Sequence, residues 1–351
     1  MEQINFVYNL IGNNIYAILI ISIIPMCFLL PYALVAILGE LKISAFIQER
    51  LGPMRTGPWG IIQPIAEVVK LIQKEDITPD EANKPLFNLA PFLMFTASYV
   101  GFAVIPFSSQ FVPSGINLGL FFVFAVGSLG IIGLFMGGWA SNNKYSLLGA
   151  LRSVAQIVSY EIPAAMAILS IAVLASSLNM QVINKAQEGW FWNWFVFGGS
   201  GSIAKIWVLP FTFGITLIYL ICSLAETNRT PFDIPEGESE LVAGYHTEYS
   251  GMKFAMFFFA EYANMFIVSA ILTTLFFGGW NSPFGQFLGG TWYWEVFWFV
   301  SKAMIFIFIQ IWLRWTLPRL RVDQLMYLSW KVLLPFSFLC FIFISLWAIV
   351  K

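Results

Sequence analysis

The stretch FAMFFFAEYANMFIVSAILTTLFF, Phe254–Phe277, decides the fold. At about 1.5 Å of rise per residue, a helix over this run exceeds the ~30 Å of a bilayer's hydrocarbon. It is apolar on every face, which a helix at a water-exposed surface is not. Its one charged residue is Glu261. Comparable runs lie near Ile15–Leu38, Leu86–Phe107, Leu118–Trp139, Val154–Leu178, Ile206–Ala225, Trp292–Leu313 and Val332–Val350. The chain therefore reads as an all-α integral membrane protein, a single polytopic domain of about eight transmembrane helices.

Composition agrees. Of 351 residues, 59% are hydrophobic and 11% charged, against roughly 25% charged in a soluble domain. The net charge of -1 points to no partner class, and there is no basic tract for nucleic acid, so no nucleic-acid partner is expected. Cys27, Cys222 and Cys340 are far apart in apolar runs, and His246 is the only histidine. No Cys/His spacing suits a metal, so no zinc, haem or iron–sulfur cluster is expected on this chain. The N-terminus lacks a basic segment and a small-residue cleavage site, so 15–38 reads as a true span.

Lys and Arg give the orientation. The first loop carries Lys42, Arg50, Arg55, Lys70, Lys74 and Lys84, and the third carries Lys144 and Arg152. The fifth carries Arg229 and Lys253, and the seventh Arg314, Arg319, Arg321 and Lys331. The odd loops are then cytoplasmic, or on the matrix side of a mitochondrion, and both termini face the other way. Trp190, Trp192, Trp194, Trp280 and Trp292 mark the opposite interface. Within the first loop, Ile61, Ile65, Val69 and Ile72 share one helical face, and Glu67, Lys70 and Lys74 share another. Residues 61–74 are too short to span, so an amphipathic helix lying at the interface is expected. It is either a simple anchor or the wall of a site opening at the membrane surface.

Glu161, in SYEIP, and Glu261 sit inside spans. Such groups are costly in hydrocarbon and usually face a bundle interior or a water-filled path. They read as proton-handling groups, with an interhelical hydrogen bond or ion pair as the alternative. Pro163 is expected to open the helix beside Glu161. Glu40 and Glu226 end the first and fifth spans. The fifth loop, residues 226–253, gathers Glu226, Asp233, Glu236, Glu238, Glu240 and Glu248 on the side that normally favours basic residues. Pro231, Pro235 and Gly237 break any helix running on from the fifth span, and Pro235 can start a short new one. Glu236 and Glu240 would then repel each other four residues apart, and the cluster's titrations would be coupled. Arg50, Arg55 and the seventh-loop arginines read as orientation signals or as partners for these acids. On residue chemistry alone, the chain is a proton- or cation-handling membrane protein.

Four stretches carry a resemblance. They are IQERLGPMRTGPWGIIQPIAEVVKL (47–71), SNNKYSLLGALRSVAQIVSYEIP (141–163), AETNRTPFDIPEGESELVAGYHTEYSGMKFAMFFFAEY (225–262) and WLRWTLPRLRVDQLMYLSWKVLLP (312–335). Together the chain resembles the family of quinone-site membrane subunits, the H type, of proton-pumping NADH:quinone oxidoreductase, respiratory complex I. The resemblance implies a subunit that forms the membrane part of the quinone chamber, without a redox centre of its own. Quinone is then the substrate, while NADH, FMN and the iron–sulfur clusters belong to partner subunits. Implied partners are the hydrophilic subunits, one carrying the terminal iron–sulfur cluster, small membrane subunits, antiporter-like subunits and lipid. It places Glu40, Arg50 and Glu67 at the chamber, and Glu226, Asp233, Glu236, Glu238 and Glu240 in a coupling loop. It places Glu161, Glu248, Glu261 and Arg152 along a proton path, with no metal site. Quinone reduction would create a demand for protons near that loop, which the carboxylates pass into the membrane. Leu41 stands where the family usually has arginine, and Glu67 where many relatives have Asp. The implied location is a bacterial inner membrane with periplasmic termini, or a mitochondrial inner membrane. The alternatives are a stand-alone cation/proton antiporter, the equivalent subunit of a membrane hydrogenase or ferredoxin-driven complex, and a structural anchor for a soluble arm.

Overall fold

The computed structural model describes residues 15–199, 205–234, 237–285, 287 and 289–350. Among the described residues, eight helices are long and apolar enough to cross a membrane. In chain order the helices are α1 (Ile15–Ile47), α2 (Gln63–Gln73), α3 (Lys84–Gly101), α4 (Gly119–Ala140), α5 (Lys144–Ala175), α6 (Met180–Lys185), α7 (Lys205–Glu226), α8 (Glu238–Leu241), α9 (Gly251–Phe276), α10 (Trp292–Thr316), α11 (Val322–Tyr327) and α12 (Leu334–Val350). A π-helical turn, Leu328–Leu333, joins α11 to α12, and together they form the last span. Among the described residues there is no β-strand, only an isolated antiparallel bridge between Trp190 and Phe284. The chain is an all-α membrane protein.

The all-apolar run that set the fold becomes the centre of the bundle. The most apolar 18-residue stretch of α9 is 72% buried, against 22% for that of the last span. Helix α9 packs against α1, α2, α3, α7 and α10. Phe266 stands at its middle, within 5.0–5.5 Å of the rings of Phe28, Tyr32 and Phe102. Aromatic pairs at this spacing add to the area they bury. A second apolar cluster, built on Phe87, Leu134, Ala150, Tyr249 and Phe257, ties α3, α4, α5 and the fifth loop to the start of α9.

Two helices outrun their apolar sequence for polar reasons. Helix α1 continues to Ile47 because Glu40, on its last turns, is buried in a protein environment and not released to water. Helix α5 starts at Lys144 because the side chain of Asn143 accepts the Tyr145 amide hydrogen and caps the first turn. Pro163 does not open α5, which is continuous across it. A proline lacks the N–H that would reach the carbonyl four residues back, and here that carbonyl, on Ser159, accepts from Ser329 Oγ at 2.7 Å. The same substitution recurs in α3. Pro91 leaves the Phe87 carbonyl free, and Tyr249 Oη donates to it at 3.2 Å. In each case another element fills the gap, as backbone in a membrane requires.

The basic-side loops are bound to one another. Leu320 N donates to Pro231 O at 3.0 Å, and Arg319 Nη2 to Ile234 O at 3.0 Å. Ser250 Oγ joins the first loop through Ile77 N and Glu75 O, each at 3.1 Å, beside a 2.9 Å ion pair of Lys253 with Asp76. Gly149 on α5 is a close-approach site. A Cβ there would lie 2.8 Å from Gly244 Cα, so only glycine lets the turn Gly244–His246 settle on α5.

Candidate functional site

A cavity of about 70 Å³ lies among α3, α4, α5, α7 and α9. Glu161 from α5, Glu226 from the end of α7 and Glu261 from α9 all line it. Ser98, Tyr219, Thr227, Asn228 and Asn264 add polar groups, and Gly127, Ile157, Ile267 and Ile271 supply apolar wall. At ~10–15 Å³ per water, the volume has room for about five. Three carboxyls around such a volume can exchange protons through water without carrying three charges at once. Glu161 and Glu226 are close enough to interact electrostatically.

Beside the cavity, toward the basic side, a buried charged cluster centres on Glu40. Arg229 Nη1 donates to both Glu40 oxygens at 2.9 Å, and Tyr262 Oη donates to Oε2 at 2.6 Å. Arg314 Nη1 donates to Oε1. The Arg229 guanidinium also sits 4.8 Å over the Tyr262 ring. Burial works against the charge on Arg229, but the Glu40 carboxylate outweighs it and holds the guanidinium protonated beyond its usual range. The buried Glu40 carboxylate is thus paired with two arginines and a tyrosine, as a buried charge demands. Further polar atoms close to this cluster, Tyr32 Oη, Arg229 Nη2, Asp233 Oδ1 and Trp315 Nε1, are buried without a hydrogen-bond partner among the described residues. Burial pushes the Asp233 carboxyl up from its ordinary value, against the opposing pull of Arg314 and Arg319.

Cluster and cavity adjoin through α9. Tyr262, bound to Glu40, directly follows Glu261, which lines the cavity. Tyr245 Oη donates to Glu261 Oε1 at 2.6 Å, and His246 Nε2 lies 3.7 Å from the same oxygen. Arg229, three residues after Glu226, interacts electrostatically with Glu261. Polar groups thus run from the basic-side loops through Glu40, Arg229 and Tyr262 to Glu261, and into the cavity with Glu226 and Glu161.

The sequence matches the profile of the NADH dehydrogenase family over residues 18–345. The chain belongs to the NADH dehydrogenase family. An H-type subunit of NADH-quinone oxidoreductase from Chlorobium luteolum is 54% identical over 342 residues, spanning 95% of this chain and 89% of the relative. One from Chlorobaculum parvum is 53% identical over 343 residues, spanning 95% and 92%. Another H-type subunit, from Cytophaga hutchinsonii, is 44% identical over 351 residues, spanning 92% and 96%.

In this member of the NADH dehydrogenase family, the site residues expected from sequence fall into separate places. Glu161, Glu226 and Glu261 share the cavity, and Glu40 with Asp233 belongs to the adjoining cluster. Arg50 is exposed, and Glu67 accepts from Gln63 Nε2 at 3.1 Å on α2, so neither reaches the Glu40 cluster. Arg152 does not line the cavity. It pairs with Glu240 at 2.6 Å on the exposed rim, and its hydrogen bond holds Glu240 below the usual carboxylate range. Glu248 also stays outside the cavity and accepts from Asn143 Nδ2 at 2.6 Å. Glu236 lies outside the described residues, as does Pro235. Glu238 opens α8, which starts after Gly237. Sequence reasoning gave no role to Tyr32, Tyr245, His246 and Tyr262, left Arg229 as a loop charge, and read Arg314 as an orientation signal or a partner for the acids. Only Tyr262 had a local signal, its place beside an intramembrane glutamate.

Among the described residues no group of three or more His, Cys, Asp or Glu side chains is placed to hold a metal ion.

Proposed function

We propose that this chain is the membrane subunit of a proton-pumping NADH:quinone oxidoreductase. It supplies the membrane part of the quinone chamber and links quinone reduction to proton movement through its carboxyls. The observation that carries the reading is the adjoining pair of sites, the Glu40 cluster and the Glu161–Glu226–Glu261 cavity. The H-type relatives that match nearly the whole chain support the same assembly, and they do not favour a stand-alone antiporter. No redox cofactor is assigned to this chain. NADH, FMN and iron–sulfur clusters belong to hydrophilic partner subunits, one of which brings its terminal cluster near the basic-side loops. Small membrane subunits and antiporter-like subunits are the partners within the bilayer.

In this reading the quinone head group enters between α2 and the ends of α1 and α9. Helix α2 and the residues leading into it turn Ile61, Ile65, Val69 and Ile72 outward, a face suited to lipid or an isoprenoid tail. Arg50 and Glu67 stand at that entrance. The loop that carries Asp233, Glu236, Glu238 and Glu240 couples the chamber to the cluster. Quinone reduction calls for protons, and the resulting change in charge shifts the Glu40–Arg229–Arg314 balance. Arg229 passes that change to Glu261 and Glu226, and the cavity relays protons to Glu161. Arg152 and Glu248 act as rim contacts that hold the loop and α5 in register. The membrane is a bacterial inner membrane, with both termini periplasmic.

The direct test is purification of the tagged chain in mild detergent. A large complex that oxidises NADH with quinone is the expected result. A lone chain that exchanges cations for protons in liposomes would contradict it.

A further inference from the structure

His246 is the single histidine of the chain, and the relay described above does not use it. It ends the turn Gly244–His246 and is buried. Its ring lies 3.8 Å from the Tyr245 ring and edge-on to Phe254 and Phe257, at 5.3 and 5.6 Å. Its Nε2 is 3.7 Å from Glu261 Oε1, the oxygen that Tyr245 Oη holds at 2.6 Å. Glu261 in turn faces the cavity. A packing residue needs no imidazole, whereas an imidazole takes a proton on one ring nitrogen and releases one from the other.

We infer that His246 delivers protons from the fifth loop to Glu261. This rests on the reading of Glu261 as part of a proton path. The imidazolium gives its Nε2 proton to the Glu261 carboxylate, leaving a neutral imidazole and a neutral carboxylic acid. The imidazole is then protonated on Nδ1 alone, and it is recharged when the ring turns its bare Nε2 to the loop side and takes a proton there. At 3.7 Å the pair is longer than a direct N–H···O bond of ~2.7–3.2 Å, so transfer needs the turn to move. Tyr245 and His246 are neighbours on that turn and address one oxygen, so a small shift exchanges one donor for the other. The turn rests on α5 at Gly149, where any Cβ would press on Gly244. The charged group that faces His246 is Glu261 on α9, on which Arg229 also acts, and Tyr245, Glu248 and Tyr249 are the titratable neighbours on its own loop.

The test uses the intact complex in sealed liposomes, with NADH-driven quinone reduction and proton uptake followed across pH in H₂O and D₂O. His246→Phe keeps the ring stack and cannot carry a proton. His246→Gln keeps a polar group and also cannot relay one. Both are expected to lower coupled turnover, to lose one limb of the parent pH profile and to change the solvent isotope effect. NADH oxidation by a water-soluble acceptor should be unchanged in both. Gly149→Ala should alter the same limb, because it displaces the turn. A pH profile and isotope effect matching the parent in either His246 variant that assembles would overturn the inference. A parent complex with no NADH:quinone activity would overturn the functional reading instead.

Discussion

Glu40 shows what single residues can and cannot reveal. Its carboxylate is held by Arg229 from 189 positions away in sequence and by Arg314 from 274. No local pattern foretells such a pairing. Glu161 and Glu261 were legible because a charge inside an apolar run is anomalous by itself, whereas Arg229 and Arg314 read as loop residues, where basic side chains are routine, although α10 runs on through Arg314. Removing one partner of a buried pair leaves an uncompensated charge, at a cost of about 3–5 kcal/mol. Arg229→Leu should therefore lower the melting temperature of the purified complex markedly, and Glu40→Leu should do the same. The double variant should lose less than the sum of the two, since it strands only Arg314, which is partly exposed to solvent, and no fully buried charge. Additive losses in thermal melts would show that the two side chains act independently.

At the scale of elements, the spans were readable from apolar length, and α2 from its two faces. The adjustments at prolines were not readable, because they depend on which neighbour arrives. Pro163 suggested a broken helix, yet Ser329 on the π-helical turn completes α5 by binding the Ser159 carbonyl. Ser329→Ala should leave that carbonyl without a partner and destabilise the complex by about 1–3 kcal/mol, read as a lower melting temperature with quinone reduction retained. The fifth loop has its own fastening in the Arg152–Glu240 pair. Glu240 is held below the ordinary carboxylate value, so the contact is complete above that value. It is lost as pH falls through the lowered one. Protection over α8, measured against the intrinsic exchange rate at each pH, should fall in that acid window relative to neutral pH, and Arg152→Ala should show the lower protection at neutral pH as well. Equal exchange in parent and variant at neutral pH would mean that the pair does not hold the loop. Helix α2 carries a prediction of another kind. Ile65→Asp with Ile72→Asp should raise the KM for a long-tailed quinone more than for a short-tailed one, because the outward apolar face contacts the tail. An equal rise for both would remove α2 from the entrance.

For the whole molecule, the described residues hold eight apolar helices long enough to cross a membrane, and the proposed orientation, with the basic loops cytoplasmic, makes a labelling prediction. Single cysteines placed in the 278–291 loop should react with a membrane-impermeant thiol reagent added outside intact cells, and cysteines in the 317–321 loop should not. The reverse labelling would invert the orientation and place the coupling loop outside. The general architecture was legible because hydrocarbon leaves a chain few options. The site was only partly legible, since a cavity is made by five helices together and its lining depends on their packing. Composition pointed to carboxyls out of water, and the three-dimensional arrangement sorts them into a paired cluster at Glu40, a shared cavity and a solvated rim. The central claim is that the shared cavity carries the protons. Glu226 is the member that joins the loop to the cavity, so Glu226→Gln in the intact complex, reconstituted in sealed liposomes, is the most direct measurement. The ratio of protons moved to NADH oxidised should fall sharply, while NADH oxidation by a water-soluble acceptor stays at the parent rate. A parent-like ratio with parent-like quinone reduction would contradict the account.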